Sequence, residues 1–441
     1  MNGSKKMNIF SIQIKIAGIA ALIIILFLIL NMIGNLIGER ERRQRIEVNN
    51  VIETVGGEPL VAGPFLTVPY GKGKYQKYAV FLPEDLLIEG NLSTEIRKRG
   101  IYDIPLIETS LKISGYFLKP DFEKWGNKNI KVDWERAHLS MEFPDMKALR
   151  AIPVLLWQNN KINFRPEIGA LNVYDSEIMA PIPSIKDGGE KEKFRFEMNL
   201  NLKGGKSLSF LPLGISTVVK LESRCSSPGF YGAYLPTKES FDNGFRAEWH
   251  ITRGNRVLPG SWEISDNYRS IIKRSKFGVN IIVGVDAYLK AERSIKYGLL
   301  FIILPFIVFF LFEVFSGNRI HPVQYLLVGL AVCLFYILLL SLSEHIDFNI
   351  SYIIAVLSVS GLSVFYSASI LKSYKGASGI GGVFLLQYSY LYAALLSEDY
   401  ALLIGSIGLF IILAIVMTLT RKIDWYSIQK REATSSRIAR A

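Results

Sequence analysis

Five ionisable side chains lie at the borders of long apolar segments in the last third of the sequence, where a charge is costly enough to suggest chemistry. They are Glu313, Arg319, His321, Glu344 and His345. Carboxylate and imidazole groups inside or beside membrane spans often carry protons or pair with charged ligands. These five residues are the candidate functional residues of the apolar region.

The spacing of His321 and Glu344 excludes a single site that contains both. The segment RIHPVQYLLVGLAVCLFYILLLSLSEH connects them and predicts one helix. At 1.5 Å per residue the two side chains lie about 34 Å apart, roughly the thickness of a bilayer core. Pro322 suits the first turn of this helix, where its missing N–H costs little. Simple solvation explains Glu344 and His345 about as well as a site does.

Glu313 has two interpretations. It falls in the last turn or so of an apolar segment, near one rim of the predicted span. We favour an ion pair with Arg319 or His321 across the turn at 316–322, because the penalty for a charge falls near the rim. The alternative is an ionisable functional group inside the membrane, the usual role of charged residues within spans.

The apolar segments predict six membrane-spanning helices, one near the N-terminus and five near the C-terminus. About 20 apolar residues are needed to cross a bilayer. The first segment is long and lacks a small-x-small cleavage site, which favours an uncleaved anchor over a signal peptide. The predicted spans are 16–33, 297–315, 323–343, 349–371, 380–396 and 400–419.

The charges of the short loops predict cytoplasmic N- and C-termini. Lys or Arg residues occur in loops 316–322 and 372–379 and in the tail, whereas loops 344–348 and 397–399 contain Glu and Asp but no Lys or Arg. Positive loops stay in the cytoplasm. The predicted domains are therefore 1–38, an N-terminus with its anchor; 39–295, extracytoplasmic; 296–420, a five-helix bundle; and 421–441, a basic cytoplasmic tail.

The segment 39–295 predicts an antiparallel β-rich domain, for which a sandwich is a fitting arrangement. Stretches such as KFRFEMNLNL and STVVKLES alternate in hydrophobicity and are separated by Gly- and Asn-rich turns. Residues 39–54 predict a charged helix that continues from the anchor, and short helices are expected at 92–99 and 145–150. The GGKS stretch at 204–207 lacks the first glycine of a phosphate-binding loop, and a hairpin turn is expected there.

The composition argues against several functional classes. The two cysteines, Cys225 and Cys333, form no disulfide framework, and the four histidines show no metal-ligand spacing. A net charge of +12 is accompanied by no nucleic-acid-binding motif. We find no catalytic constellation either. The sequence therefore predicts a protein that is not an enzyme and that uses no cofactor, metal ion or nucleic acid.

Two further patterns concern packing. Small residues in the fourth and sixth spans favour close helix packing over a polar pathway. Opposite charges suggest that the extracytoplasmic domain docks on the bundle, although the basic residues could instead bind anionic lipid headgroups. The acids are Glu344, Asp347, Glu398 and Asp399, and the bases are Arg40, Arg42, Arg43, Arg45, Lys290, Arg293 and Lys296.

Several stretches resemble the CreD family of bacterial inner-membrane proteins. They are LVAGPFLTVPY, FLPEDLLIEGNLSTEIRKRGIYDIPL, GFYGAYLPTKES, TRKIDWYS and the 319–345 segment quoted above. The resemblance implies an inner-membrane protein with a periplasmic domain and a role in cell-envelope integrity and stress, through binding or structure rather than catalysis. The lipid bilayer and other envelope proteins or a second copy are the expected partners. The alternative is a transporter or flippase that uses the bundle.

Overall fold

The computed structural model describes residues 9–71, 76–122, 131–168, 173–183, 185, 192–225, 228–241, 244–281, 287–316, 320–371, 374–397 and 400–421. The chain forms two compact units. The helical unit comprises residues 1–43 and 285–441, and the β unit comprises residues 44–284.

Eight α-helices occur in the described residues. The first, α1, has 46 residues and runs without a break from the apolar anchor into the charged segment, as predicted for 39–54. The helices are α1 Ile9–Thr54, α2 Arg269–Arg274, α3 Ala287–Lys296, α4 Gly298–Ser316, α5 Pro322–Ser343, α6 Phe348–Leu371, α7 Tyr374–Leu396 and α8 Ala401–Thr420.

Four of the described helices are long and apolar enough to cross a membrane, namely α1, α5, α6 and α7. A fifth span results if α3 and α4, which meet at an angle of 47°, are counted as one broken helix. The helix α8 contains a shorter apolar segment, Leu403–Thr418. Length and composition thus support four or five of the six predicted spans.

The β unit contains two sheets in the described residues. The nine-stranded sheet has the order β13-β17-β11-β1-β5-β9-β8, with β2 and β16 attached beside β1, and the eight-stranded sheet has the order β14-β15-β12-β3-β4-β10-β6-β7. The strands are β1 Leu60–Tyr70, β2 Lys77–Phe81, β3 Asp85–Arg99, β4 Tyr102–Phe117, β5 His138–Phe143, β6 Val154–Trp157, β7 Asn160–Asn163, β8 Arg165–Ile168, β9 Ser176–Pro181, β10 Phe194–Gly204, β11 Ser207–Phe210, β12 Ser216–Ser223, β13 Pro228–Gly232, β14 Thr237–Phe241, β15 Gly244–Ile251, β16 Ser261–Glu263 and β17 Phe277–Ile281.

A shared apolar core lies between the two sheets, as the prediction of a sandwich requires. Side chains from β1 and β5 of one sheet and from β3 and β10 of the other belong to one buried cluster. Most pairs are antiparallel, but β1 pairs with β11 and β12 pairs with β3 in parallel. Every residue of β1 is buried, because a second core covers the other face of its sheet. A strand buried on both faces reads as a continuous apolar run.

Two local predictions for the β unit were wrong. Residues 92–99 are not a helix but the second half of β3, which pairs with β4 along its whole length. The Gly205-Lys206 turn does not close a hairpin, because it carries the chain from β10 in one sheet to β11 in the other. The helix expected at 145–150 is confirmed only as a single 3-10 turn, Met146–Ala148.

The end of α1 packs on the β3–β4 hairpin and turns sharply into the sheet. Val51 and Ile52 of the helix contact Ile104 and Leu106 of β4 in a small buried cluster. The helix then ends at Gly56-Gly57, a pair with positive φ of +106° and +67°. A Cβ atom added at Gly56 would overlap the backbone of Ala148, whereas one added at Gly57 would meet open space.

These two glycines provide a matched test of the junction. Gly57→Ala should cost about 1–2 kcal/mol of unfolding free energy, the penalty of left-handed backbone for a residue with Cβ. Gly56→Ala should cost clearly more, because backbone must also move. Thermal unfolding of the purified full-length protein in detergent measures both. Equal melting temperatures for the two variants would contradict the close approach of Gly56 to Ala148.

Candidate functional site

A buried charge cluster lies where α1, α4 and α5 meet. Lys15 of α1 donates hydrogen bonds to both carboxylate oxygens of Glu313 on α4. Its Nζ also donates to the Ile320 carbonyl oxygen at 2.7 Å. Tyr325 of α5 donates to Glu313 Oε2 at 3.4 Å, and its ring centroid lies 5.8 Å from Lys15 Nζ. We call Lys15, Glu313, Ile320 and Tyr325 the Lys15–Glu313 cluster.

Burial makes this cluster energetically important. Glu313 is 2% exposed, and the side chain of Lys15 is 13% exposed. An unpaired charge in such surroundings would be very costly, so the carboxylate and the ammonium each need the other. The pair carries no net charge, and the carbonyl of Ile320 and the hydroxyl of Tyr325 provide further hydrogen bonds. The cluster can hold three helices in register, and it can also exchange a proton if one partner moves.

Lys15 is a partner of Glu313 that sequence reasoning missed. From the turn before α5, the described residues contribute the backbone carbonyl of Ile320, and pairing of Glu313 with Arg319 stays a prediction. His321 instead caps α5, with its Nδ1 accepting from the Val323 N–H at 3.3 Å. Pro322 occupies the first turn, as predicted. Arg319 lies outside the described residues.

The sequence brings Lys15 to Glu313 because α1 packs along α4 and α5. A Cβ atom added at Gly329 of α5 would overlap the side chain of Leu26 of α1. A Cβ atom added at Gly298 of α4 would touch the side chain of Leu30 of α1. Glycine at these points makes room for the leucine side chains of α1. Lys15 lies about three helical turns before Leu26. The sequence offered one signal for Lys15, a single lysine at the start of the first apolar segment.

The opposite end of α5 carries a second, more exposed group of polar contacts. Tyr288 of α3 donates to Glu344 Oε1 at 2.8 Å, and Arg40 Nη1 lies 4.0 Å from the same oxygen. His345 is exposed and its Nδ1 lies 3.1 Å from the Ser341 carbonyl oxygen. Arg40 and Glu344 are two of the oppositely charged residues that we expected to attract each other. They lie close together, and both belong to the helical unit. Docking of the β domain through the others stays a prediction.

Several buried polar side chains near the middle of the bundle were missed from sequence. Gln387 of α7 is 6% exposed, and neither of its amide atoms has a hydrogen-bond partner in the described part of the chain. The buried hydroxyls of Tyr336 and Tyr388 also have none there. The small residues of α6 do not share one face, since Ser360 is buried and Gly361 is exposed. An isolated glutamine inside an apolar segment was the available signal.

The β unit has a cleft of 1040 Å³ over its eight-stranded sheet. Four polar residues of its lining stand side by side on adjacent strands, with Glu222 opposite Asn91, Asn91 opposite Ser110, and Ser110 opposite Asn201. All four are exposed. Strands lie about 4.8 Å apart, so this row extends over about 14 Å. We call these four residues the cleft row.

Ion pairs flank the cleft row on both sides. On one side Glu108 accepts from Arg150 at 2.6 Å and from Lys203 at 2.8 Å. The hydrogen bonds from Lys203 and then from Arg150 hold the pKa of Glu108 below its ordinary value. On the other side Arg246 pairs with Glu222 at 2.7 Å. Arg224 also lines the cleft and is exposed, so the lining combines paired charges, a cationic side chain and the neutral groups of Asn91, Ser110 and Asn201.

Metal chemistry finds no support in the described residues. No group of three or more His, Cys, Asp or Glu side chains there could hold a metal ion. Cys225 lines the cleft as a half-buried free thiol, and Cys333 is a buried free thiol of α5. We assign neither a catalytic role.

Comparison with known proteins defines the class and then the family. Several long apolar helices together with a large β unit are the features of a multi-pass membrane protein that also contains a β-rich region. The model of the family "Inner membrane protein CreD" matches residues 11–426. The chain therefore belongs to the CreD family of inner-membrane proteins, which confirms the resemblance seen in its sequence. It is 28% identical over 440 residues to "Inner membrane protein CreD" of Escherichia coli (strain K12), with 95% of each chain covered.

Solved structures add nothing to this assignment. The M1 zinc metallopeptidase of Deinococcus radiodurans is 6% identical with a TM-score of 0.19, and a point mutant of the same enzyme is 8% identical with a TM-score of 0.20. Each comparison covers 38% of this chain and 38% of that one. Such scores are too low to carry an argument about fold or activity.

The Lys15–Glu313 pair can be tested by its coupling. Lys15→Met and Glu313→Gln should each destabilise the protein by about 3–5 kcal/mol, because each leaves a buried group without its partner. The double variant Lys15→Met/Glu313→Gln should recover much of that loss, since it removes both charges. Melting temperatures in detergent give the comparison.

The exposed pair Glu39–Arg43 on the same helix is the matched control. Arg43→Gln should change stability by less than about 0.5 kcal/mol, the range of surface ion pairs. Additive effects of the two single changes at Lys15 and Glu313 would show that the pair does not form.

Proposed function

We propose that this inner-membrane protein maintains the cell envelope under stress by binding an envelope component in the cleft of its β unit. The cleft row carries this proposal, because it lies in a concavity of 1040 Å³ whose lining combines exposed amides with paired charges and a cationic side chain. Membership of the CreD family supports the envelope setting. The bilayer and other envelope proteins or a second copy complete the proposed set of partners.

The chemistry of the cleft favours a polar ligand without positive charge. Asn91, Ser110 and Asn201 offer both donors and acceptors on one exposed face. Glu108 and Glu222 already pair with bases, so a cationic ligand would have to break those pairs, and Arg224 of the lining can donate hydrogen bonds to ligand oxygens. A chain of hydroxyl and amide groups, such as a glycan strand, could extend along the row and replace water at each strand.

The proposed orientation places both termini in the cytoplasm and residues 39–295 in the periplasm, with six spans. The charges of the short loops support it: the described 344–347 turn holds Glu344 and Asp347 and no Lys or Arg, whereas Arg421 follows α8. Ile346 is exposed in that turn. In a Cys225→Ser/Cys333→Ala background, Ile346→Cys should therefore react with a membrane-impermeant thiol reagent added to intact spheroplasts. If Ile346→Cys reacts only after lysis, the protein has the opposite orientation.

A matched pair of tryptophans tests the cleft. Asn201→Trp should fill the cleft. A deletion strain that carries this variant should survive envelope stress at least tenfold less well than one that carries the unaltered protein at the same membrane level. Asn199→Trp is the control, because Asn199 is exposed on the same strand and face but does not line the cleft. Equal survival of both variants at the unaltered level would remove the cleft from the function.

Transport through the bundle is the second candidate, and the buried Lys15–Glu313 pair is the observation that favours it. An ionisable pair inside a bundle can couple proton movement to a change of conformation. Complementation by Glu313→Gln and Glu344→Gln, at matched membrane levels, distinguishes the two functions. Full survival with both variants supports binding through the β unit. A well-inserted but inactive Glu313→Gln protein would place transport first.

A further inference from the structure

Two tyrosines and a glutamine bring unpaired polar atoms into the interior of the helical unit. Tyr388 of α7 is 1% exposed and Tyr336 of α5 is 1% exposed, and neither hydroxyl has a hydrogen-bond partner in the described residues. Gln387 adds an amide whose two ends are both unpaired there. In a lipid environment, a glutamine amide or a phenol hydroxyl without a hydrogen-bonding partner carries a large free-energy penalty.

The two tyrosines belong to one tightly packed aromatic group. The Phe335 ring centroid lies 4.5 Å from that of Tyr388 and 5.1 Å from that of Tyr336. Tyr352 of α6 completes the group, and its hydroxyl donates to the Tyr388 carbonyl oxygen at 2.6 Å. Tyr352 thus shows how a buried phenol is satisfied in this bundle, and the other two hydroxyls lack such an acceptor among the described residues.

The depth of these groups excludes simple solvation at the rim. Tyr336 is seven residues before the end of α5 at Ser343, and Gln387 is nine residues before the end of α7 at Leu396. At 1.5 Å per residue they lie about 10 and 13 Å inside the helix ends. Both depths are measured from the end that carries Glu344, which is the periplasmic end in the proposed orientation.

The aromatic group also lies near a break in the helical bundle. A Cβ atom at Gly298, the first residue of α4, would be 3.5 Å from the Tyr336 hydroxyl. Gly298 follows directly on the 47° bend between α3 and α4. At such a bend the backbone leaves the regular helix, and irregular backbone at membrane depth normally lines a cavity or is covered by protein. The bend thus brings irregular backbone close to the Tyr336 hydroxyl.

We propose that Tyr336, Gln387 and Tyr388 line a water-accessible site inside the bundle, which binds small uncharged hydrogen-bonding molecules, water above all. Its lining is neutral, and the charged Lys15 and Glu313 belong to the opposite end of α5, so the site offers nothing to stabilise an ion. A phenol hydroxyl both donates and accepts, and an amide has a separate donor and acceptor. The proposal concerns the bundle alone and does not depend on a ligand in the β unit.

Cysteine accessibility tests this directly, because a thiol reacts with methanethiosulfonates as the thiolate, a form that requires water. In a Cys225→Ser/Cys333→Ala background, Gln387→Cys is compared with Leu386→Cys. Leu386 has the same depth on the same helix but is 74% exposed on the outer surface of the bundle. The probe is hydroxyethyl methanethiosulfonate, itself small and uncharged, and the readout is the mass of the intact protein in membranes.

We expect Gln387→Cys to react at least tenfold faster than Leu386→Cys. Its reaction rate should also lie within about tenfold of the rate of Ile346→Cys, which is in the exposed turn. A second pair on α5, Tyr336→Cys against Ile337→Cys, gives the same comparison if the Gln387 variant does not fold, because Ile337 is exposed beside the buried Tyr336. A rate at the buried position no greater than at its exposed neighbour, while position 346 reacts, would overturn the proposal.

Discussion

The helical unit depends on the rule that a charge buried in an apolar environment needs an opposite charge. Glu313 is almost completely buried on α4, and the ammonium that neutralises it comes from Lys15, 298 residues earlier in the chain. The anchor helix is therefore not a simple tether. It must pack against α4 and α5 with its lysine at the level of Glu313, and the close approach of Leu26 to Gly329 shows how this is achieved. Folding of the bundle is thereby coupled to both ends of the sequence.

The sequence was a good guide where one physical signal dominates. Apolar length located four or five of the six predicted spans. The alternating stretch KFRFEMNLNL became β10, with every second residue buried as its pattern requires. These features follow from period and burial alone and need no knowledge of which strand pairs with which.

The failures have one origin, the contribution of distant partners. Residues 92–99 contain Glu, Arg and Lys, which favour helix, yet pairing with β4 extends β3 to Arg99. The Gly205-Lys206 turn looked like a hairpin because its neighbours are strands, but those strands belong to different sheets. Lys15, 298 residues before Glu313, was likewise not foreseen as a partner of that carboxylate. In each case a long-range contact was missed.

The bundle separates its polar groups by kind, and this separation bears on function. Charged side chains occur at the two ends of α5, where Glu313 pairs with Lys15 and Glu344 contacts Arg40 and Tyr288. Between those levels the buried polar groups of the described helices are neutral, including Gln387, Tyr336 and Tyr388. A pathway for ions would need charged or strongly polar groups at the midplane to replace hydration. A neutral interior between paired charges instead fits the proposed site for water and other small uncharged molecules.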